Sequence, residues 1–333
     1  MDYKKRVLLI RLSALGDVAI LEPVLRCRAT CNPDVLFLLA APPILQPLFS
    51  DIPNLQYVPT KKKQSVKELF SILYKLKPSV VLDMHKVNRT IVVDWLFRLS
   101  GVPVYTVDKD KSKRRRIVRR FFKDRTSAVP MWKRYDLLLS KIGLNGGLQH
   151  PDVISFPKSE KVKRRVGVAP FAQHKGKIWP IDLMFKFLKL LSQDGKYQIF
   201  LFGSQKDASE YLDKWSESLS DVTCVAGRYS FAEEMDLIGS LDLMVSMDSA
   251  NMHFASCKRV PVVSLWGATH PIVGFYGYAQ DEDWALQSDM PCRPCSAFGN
   301  KPCRYGDYPC LRSISPEMVF DHVEKLFLTR DFS

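Results

Sequence analysis

Short apolar runs bounded by turn residues alternate with longer stretches of helical spacing along the whole chain, and this rhythm predicts an α/β fold of parallel sheets with crossover helices. Strands are expected at Val7–Ile10, Val35–Leu39, Val80–Leu82 and Val102–Val107, then at Val166–Ala169, Gln198–Phe202, Leu243–Ser246 and Val260–Leu265. Helix starts are marked by Ser65-x-x-Glu68 and Ser230-x-x-Glu233, in which serine and glutamate reciprocally satisfy free backbone N–H groups. Ser315 followed by Pro316 opens a last helix, with Val319, Val323, Leu326 and Phe327 on one face. A Pro- and Lys/Arg-bearing stretch from His150 to Arg165 separates the halves, predicting domains over 1–155 and 156–315 and a terminal helix over 316–333.

Composition supports folding and narrows the class. With 333 residues, 46% hydrophobic and 25% charged, the chain suits two ordinary globular domains and is not a disordered or small disulfide-held type. The uncharged run from Val35 to Ser50 contains Pro42, Pro43 and Pro47 and is too short to span a bilayer, so no transmembrane helix is expected. Arg11 interrupts the only apolar run after Lys4-Lys5-Arg6, which argues against a signal peptide and for a cytoplasmic protein.

Net charge is +14, and the segment Lys109 to Arg125 holds ten Lys/Arg against Asp110 and Asp124, a field that either attracts an anionic partner or lies as a solvated face. A nucleic-acid partner is not expected, since no recognition module or interleaved aromatic platform is present.

Parallel α/β sheets bind ligands beyond the carboxyl ends of their strands, so the loops there carry the candidate chemistry. After the first strand, Arg11-Leu-Ser-Ala-Leu-Gly-Asp17 lacks the glycine fingerprint of a dinucleotide site and the Gly-Lys-Ser/Thr of a P-loop. It offers Asp17 as a base for a hydroxyl, beside the compact Gly16; the same residue could equally cap the helix. In the second half, Lys175 and Lys177 sit just before a helix start, where cations oppose the helix dipole unless an anion is bound. Asp248-Ser249-Ala250-Asn251-Met252-His253 begins another helix with free N–H groups, and Gly267-Ala-Thr-His-Pro271 is a third loop on that edge.

Taken together these segments resemble glycosyltransferase family 9, the heptosyltransferase family, over nearly the whole chain. The resemblance rests on Arg11–Asp17, Asp83-Met-His85 with Asn88-Arg89-Thr90, Lys177-Ile-Trp-Pro180, Ala226-Gly227 before Ser230, Asp248–His253 and Leu265–Pro271. It implies a GT-B fold, two Rossmann-like domains facing a cleft, with the acceptor on the first, the donor on the second, and the terminal helix packing back on the first.

By the same resemblance, Asp17 is the general base and Lys177 steadies the departing diphosphate, with inversion at the sugar. The donor site comprises Gln173, Lys175, Tyr229, Asp248, Ser249, Ala250 and His253. The acceptor site comprises Ser13, Gly16, Asn88 and Arg89, together with Arg114, Arg115, Arg116, Arg119 and Arg120 of the basic run. Phe171 and Ala250 stand where glycine is frequent in the family, which points to a reshaped donor pocket.

The partners implied are a nucleotide-diphosphate sugar, ADP-heptose foremost, and an anionic glycolipid of the lipopolysaccharide core met at the inner face of the inner membrane. No cofactor is required for that chemistry. Other readings are transfer of a different sugar to another surface glycan, and a GT-B protein that binds without turnover. Cys292, Cys295, Cys303 and Cys310 fall together in a loop-like stretch, where four thiolates are candidates for a structural zinc.

Overall fold

The computed structural model describes residues 3–119, 123–148, 152–155 and 163–331, and these form two compact units. The first unit comprises Met1–Lys109 and Val129–Pro151; the second comprises Asp110–Ala128 and Asp152–Ser333.

In the first unit, β1 (Lys5–Ile10) runs into α1 (Leu15–Ala19) and α2 (Leu21–Cys31), followed by β2 (Val35–Ala41), β3 (Leu55–Pro59), α3 (Val66–Lys75), β4 (Val80–Asp83), α4 (Asn88–Leu99) and β5 (Val104–Thr106). The sheet is parallel throughout, in the order β3-β2-β1-β4-β5. Leu8 pairs with both Leu38 and Val81 at its centre. Because both faces of the central strands are covered, their sequences are unbroken apolar runs, and Leu8, Ile10, Leu38 and Val81 pack with Leu69, Leu73, Val93 and Phe97 from α3 and α4. Ser65 caps α3 by accepting from Glu68 N, as its sequence signature predicts.

After α5 (Lys111–Ile117), α6 (Met131–Ser140) returns to the first unit, where the Asp136 carboxylate holds Arg28 of α2 at 2.7 Å. The second unit then continues with β6 (Arg164–Ala169), α7 (Ile181–Asp194), β7 (Tyr197–Leu201), the short α8 (Gln205–Asp207) and α9 (Asp213–Ser218), β8 (Val222–Cys224), α10 (Phe231–Gly239), β9 (Leu243–Met247), α11 (Ala250–Cys257), β10 (Val262–Trp266), β11 (Ala285–Gln287), α12 (Pro309–Arg312) and α13 (Pro316–Asp331). Its parallel sheet has the order β11-β10-β9-β6-β7-β8. No helix among the described residues is long and apolar enough to cross a membrane.

Three strands escape the sequence pattern, and all three lie at sheet edges: β3, β8 and β11. An edge strand is covered less completely, so β3 buries only Val58 of its five residues and has no continuous apolar run to detect.

Two organisational expectations are corrected. The basic segment belongs to the second unit, because Ile117 and Ala128 share a small core with Val273 and Ala128 N donates to Ile272 O at 2.8 Å. The terminal helix spends its apolar face on that same unit: Val319, Val323 and Phe327 are buried in its core, and the Phe327 ring lies 6.0 Å from Tyr197. Leu326, expected on this face, is only partly buried against it.

Candidate active site

In the first unit the chemistry gathers beyond the carboxyl ends of β1 and β4. Arg11 continues β1, its N–H bonded to Ala40 O at 3.0 Å, and its guanidinium is buried. Nη1 donates to Met84 O at 2.7 Å, while Nη2 meets Asp17 Oδ2 at 2.5 Å. The Asp17 carboxylate, 23% exposed in the first turn of α1, is thus engaged by arginine. Burial lowers the Arg11 pKa, but Tyr135 and Asp17 outweigh it and the net shift is upward, so the guanidinium stays charged.

His85 stands beside this pair. Its Nε2 is 3.3 Å from Ser13 Oγ, and its Nδ1 has no hydrogen-bond partner among the described residues. Burial, then the charges of Arg11 and Lys109, push the imidazole down to about 3, which makes it neutral near pH 7. The turn that presents it is built by Asp83, whose Oδ1 accepts from His85 N at 2.7 Å and Lys86 N at 2.8 Å. Asp94 of α4 lies against Asp83, and burial together with that neighbour raises its carboxyl far above the usual range. Asp94 is thereby favoured in its protonated form, which can donate a hydrogen bond to Asp83.

Arg89 is half-buried and tethered to the loop after β3, with Nη1 donating to Lys62 O at 2.8 Å; Asn88 is exposed. Gly16 sits in the first turn of α1, one residue before Asp17.

In the second unit the loops after β6, β9 and β10 converge. Lys177 Nζ is 2.9 Å from Asp248 Oδ2, and Thr269 Oγ1 donates to the same oxygen at 2.8 Å. Gly176 permits this crowding, since a Cβ there would lie 2.7 Å from Gly299 O and 2.9 Å from Ala268 Cβ. A Cβ at Gly299 would strike Lys177 Cγ at 2.6 Å, so the glycine lets the later loop lie along the lysine stem. Lys177 is left with a side chain 17% exposed.

Ser249 opens α11 without a side-chain capping bond, its Oγ 3.3 Å from Ser246 Oγ, which leaves a helix N-terminus suited to phosphate. Ala250 is the first helical residue, and His253 is buried one turn on. Gln173 and Lys175 are exposed outside the Lys177–Asp248 pair, and Tyr229 is half exposed before the Ser230 cap. Phe171 does not enter this cluster. Its ring packs 5.7 Å from Tyr211 and 6.3 Å from Trp215, so the bulk expected to reshape the pocket is turned into the core.

Arg114 is corrected from ligand candidate to structural residue: it is buried, lies 4.2 Å over the Phe275 ring and donates to Val273 O. Arg115, Arg116 and Arg119 are exposed on the second unit, away from the first-unit placement expected for them, with Arg116 3.5 Å from Asp124. Arg120 lies outside the described residues.

The cysteine stretch is organised by arginine. Cys292, Cys295, Cys303 and Cys310 are free thiols, and no group of three or more His, Cys, Asp or Glu among the described residues is arranged to hold a metal ion. Cys310 is pushed up to about 11, first by burial. Buried Arg293 instead donates to Gly267 O at 2.6 Å, Trp266 O at 3.0 Å, Thr269 O at 3.1 Å and Gln287 Oε1 at 3.1 Å, as well as to Ser288 O. One guanidinium, with five N–H donors, thereby ties the cysteine stretch to the loop that carries Thr269. Arg11, His85, Thr269 and Arg293 were not singled out by the sequence reading. Arg11, His85 and Thr269 lay inside quoted motifs, whereas Arg293 had no local signal.

Comparison with known proteins gives the family and the fold. The model of glycosyltransferase family 9 (heptosyltransferase) matches residues 74–306. Lipooligosaccharide heptosyltransferase 2 of Campylobacter jejuni is 21% identical over 94% of this chain and 96% of its own. Among solved structures, E. coli ADP-heptose lps heptosyltransferase II shares the fold with a TM-score of 0.71, at 20% identity over 98% of this chain and 99% of its own. E. coli heptosyltransferase WaaC with ADP gives 0.67, at 16% identity over 96% and 99%.

Proposed function

The chain belongs to glycosyltransferase family 9 and is a glycosyltransferase; from that premise we propose that it transfers heptose from ADP-heptose, with inversion, to a lipopolysaccharide-core or related cell-envelope glycan. The heptosyltransferases it resembles, one of them solved with ADP, support the donor and acceptor classes.

Asp17 takes the proton from the acceptor hydroxyl, whose oxygen then attacks the anomeric carbon as the bond to the diphosphate breaks. Arg11 orients the carboxylate, and Ser13 with neutral His85 offers uncharged hydrogen-bonding groups to the sugar. Lys177, the Ser249 hydroxyl and the N–H groups at the start of α11 take up charge on the leaving diphosphate, a set that invokes no metal. Asp248, itself held by the Thr269 hydroxyl, keeps the lysine until the phosphates arrive. Tyr229, half exposed before the Ser230 cap, meets the base. Exposed Arg115, Arg116 and Arg119 suit an anionic glycolipid, in keeping with a reaction at the cytoplasmic face of the inner membrane.

The observation that carries this reading is the Arg11–Asp17 pair at 2.5 Å, a partly exposed carboxylate held by a buried cation at the carboxyl end of β1. The test is ADP release from ADP-heptose with a lipid acceptor, read beside mass spectrometry of the lipid. A donor panel in which another nucleotide sugar alone is consumed would replace the heptose assignment.

A further inference from the structure

Helix α4 begins at the candidate acceptor residues Asn88 and Arg89 and buries Val93 and Phe97 in the first unit's core. Its opposite face is apolar as well. Ile91, Val92, Trp95 and Leu99 fall within about a third of the helix circumference at 100° per residue, and they are 40%, 48%, 62% and 77% exposed. An outward helix face in water is ordinarily polar, so four large apolar side chains in one stripe call for a covering partner.

The surroundings specify that partner. Arg98 and Arg89 flank the stripe on either side, and the Arg89–Lys62 bond brings the Lys61-Lys62-Lys63 run to the start of the helix. Helix α3, which packs beside α4 through Phe70 and Phe97 at 5.1 Å, adds exposed Lys67 and Lys75. Glu68 is the one exposed acid among residues 61–100, because Asp83 and Asp94 are buried. Apolar wedges within a cationic rim match an anionic bilayer surface, whereas a two-fold contact between copies would set this positive face against its own image.

We propose that the outer face of α4 docks the enzyme on an anionic lipid bilayer, inserting Trp95 and Leu99 at the headgroup boundary. This rests on the reading of the acceptor as a glycolipid, and it places the acceptor-binding end of the helix beside the membrane that holds that substrate.

The test uses the full chain with phosphatidylcholine vesicles prepared with or without phosphatidylglycerol. The wild type should sediment with the anionic vesicles and be released by salt, and the emission of Trp95, isolated by difference from Trp95→Phe, should shift to the blue. The pair Trp95→Ser and Leu99→Ser should lower vesicle partition by about tenfold or more, while ADP release with a short soluble acceptor stays unchanged.

A wild type that stays in the supernatant overturns the proposal, as does partition that survives both substitutions. So does a concentration-dependent dimer that the same substitutions dissolve. Vesicle binding that follows α4 in a protein releasing no ADP would instead remove the functional reading and leave the docking surface standing.

Discussion

Arg11 Nη2 and Asp17 Oδ2 lie 2.5 Å apart at the carboxyl end of β1, a pairing between a buried cation and a partly exposed acid six residues later. The arginine is fixed from behind by Met84 O, so the carboxylate inherits its orientation from the strand beneath. Asp17→Asn should reduce kcat by about 10³-fold with little change in donor affinity. Arg11→Met should lower kcat by about 10²-fold, since the base remains but loses its fixed geometry, and Arg11→Lys should recover part of that loss. Steady-state kinetics with ADP release decides between these outcomes and a merely structural pair, for which all three variants would alter stability and leave kcat intact.

Lys177→Ala should cost about 10²- to 10³-fold in kcat, the range seen when a preorganised charge-stabilising donor is removed. Thr269→Val should cost less, because Asp248 keeps its stronger partner. A double-mutant cycle between positions 177 and 269 should be non-additive, given that both side chains meet Asp248 Oδ2. Strict additivity would separate Thr269 from the phosphate site.

Arg293→Met removes a buried guanidinium from the carbonyls of Trp266, Gly267, Ser288 and Thr269, leaving acceptors unsatisfied. The expected loss is about 3 kcal/mol of unfolding free energy, measured by denaturant titration. If Arg293 anchors the loop by itself, chelation should leave the wild-type melting temperature unchanged. A fall on chelation, with stoichiometric metal in elemental analysis, would assign the loop's anchor to the cysteines.

Two buried groups should give opposite pH dependence. His85 has its folded pKa depressed to about 3 from 6.5, so its contribution is present above pH 6.5 and is lost as pH falls toward 3. His85→Gln should relieve on the order of 3 kcal/mol of that loss by pH 4. Asp94 has its folded pKa raised, so stability is greatest below its ordinary carboxyl value of 3.8 and declines as pH rises toward its elevated folded pKa. Asp94→Asn should flatten the decline between about pH 4 and pH 8. Identical slopes in wild type and variants would show that neither group titrates as described.

The central strands were legible because burial on both faces demands unbroken apolar runs, as at Val7–Ile10 and Val35–Ala41. Serine–glutamate spacing likewise marked α3 and α10, whose capping bonds form between neighbours in the chain. Asp17 and Lys177 could be named because each sits at a strand-to-helix switch, a local feature. The edge strands β3, β8 and β11 lacked such a signal. Arg114 illustrates the limit of charge patterning, since its neighbours in sequence made it a ligand candidate and its neighbours in space, Phe275 and Val273, made it part of a small core.

What the chain determines by itself is therefore its alternation of strand and helix, its parallel sheets and the loops at which charged side chains leave the strands, all consequences of interactions within a few residues. Tertiary structure alone decides that Arg11 holds Asp17 from a strand backed by Met84, that Thr269 and Lys177 share one oxygen of Asp248, and that Arg293 fastens the cysteine stretch. Most of those contacts join residues tens of positions apart, and their strength comes from burial, which removes competing water only once the separate loops have been brought together.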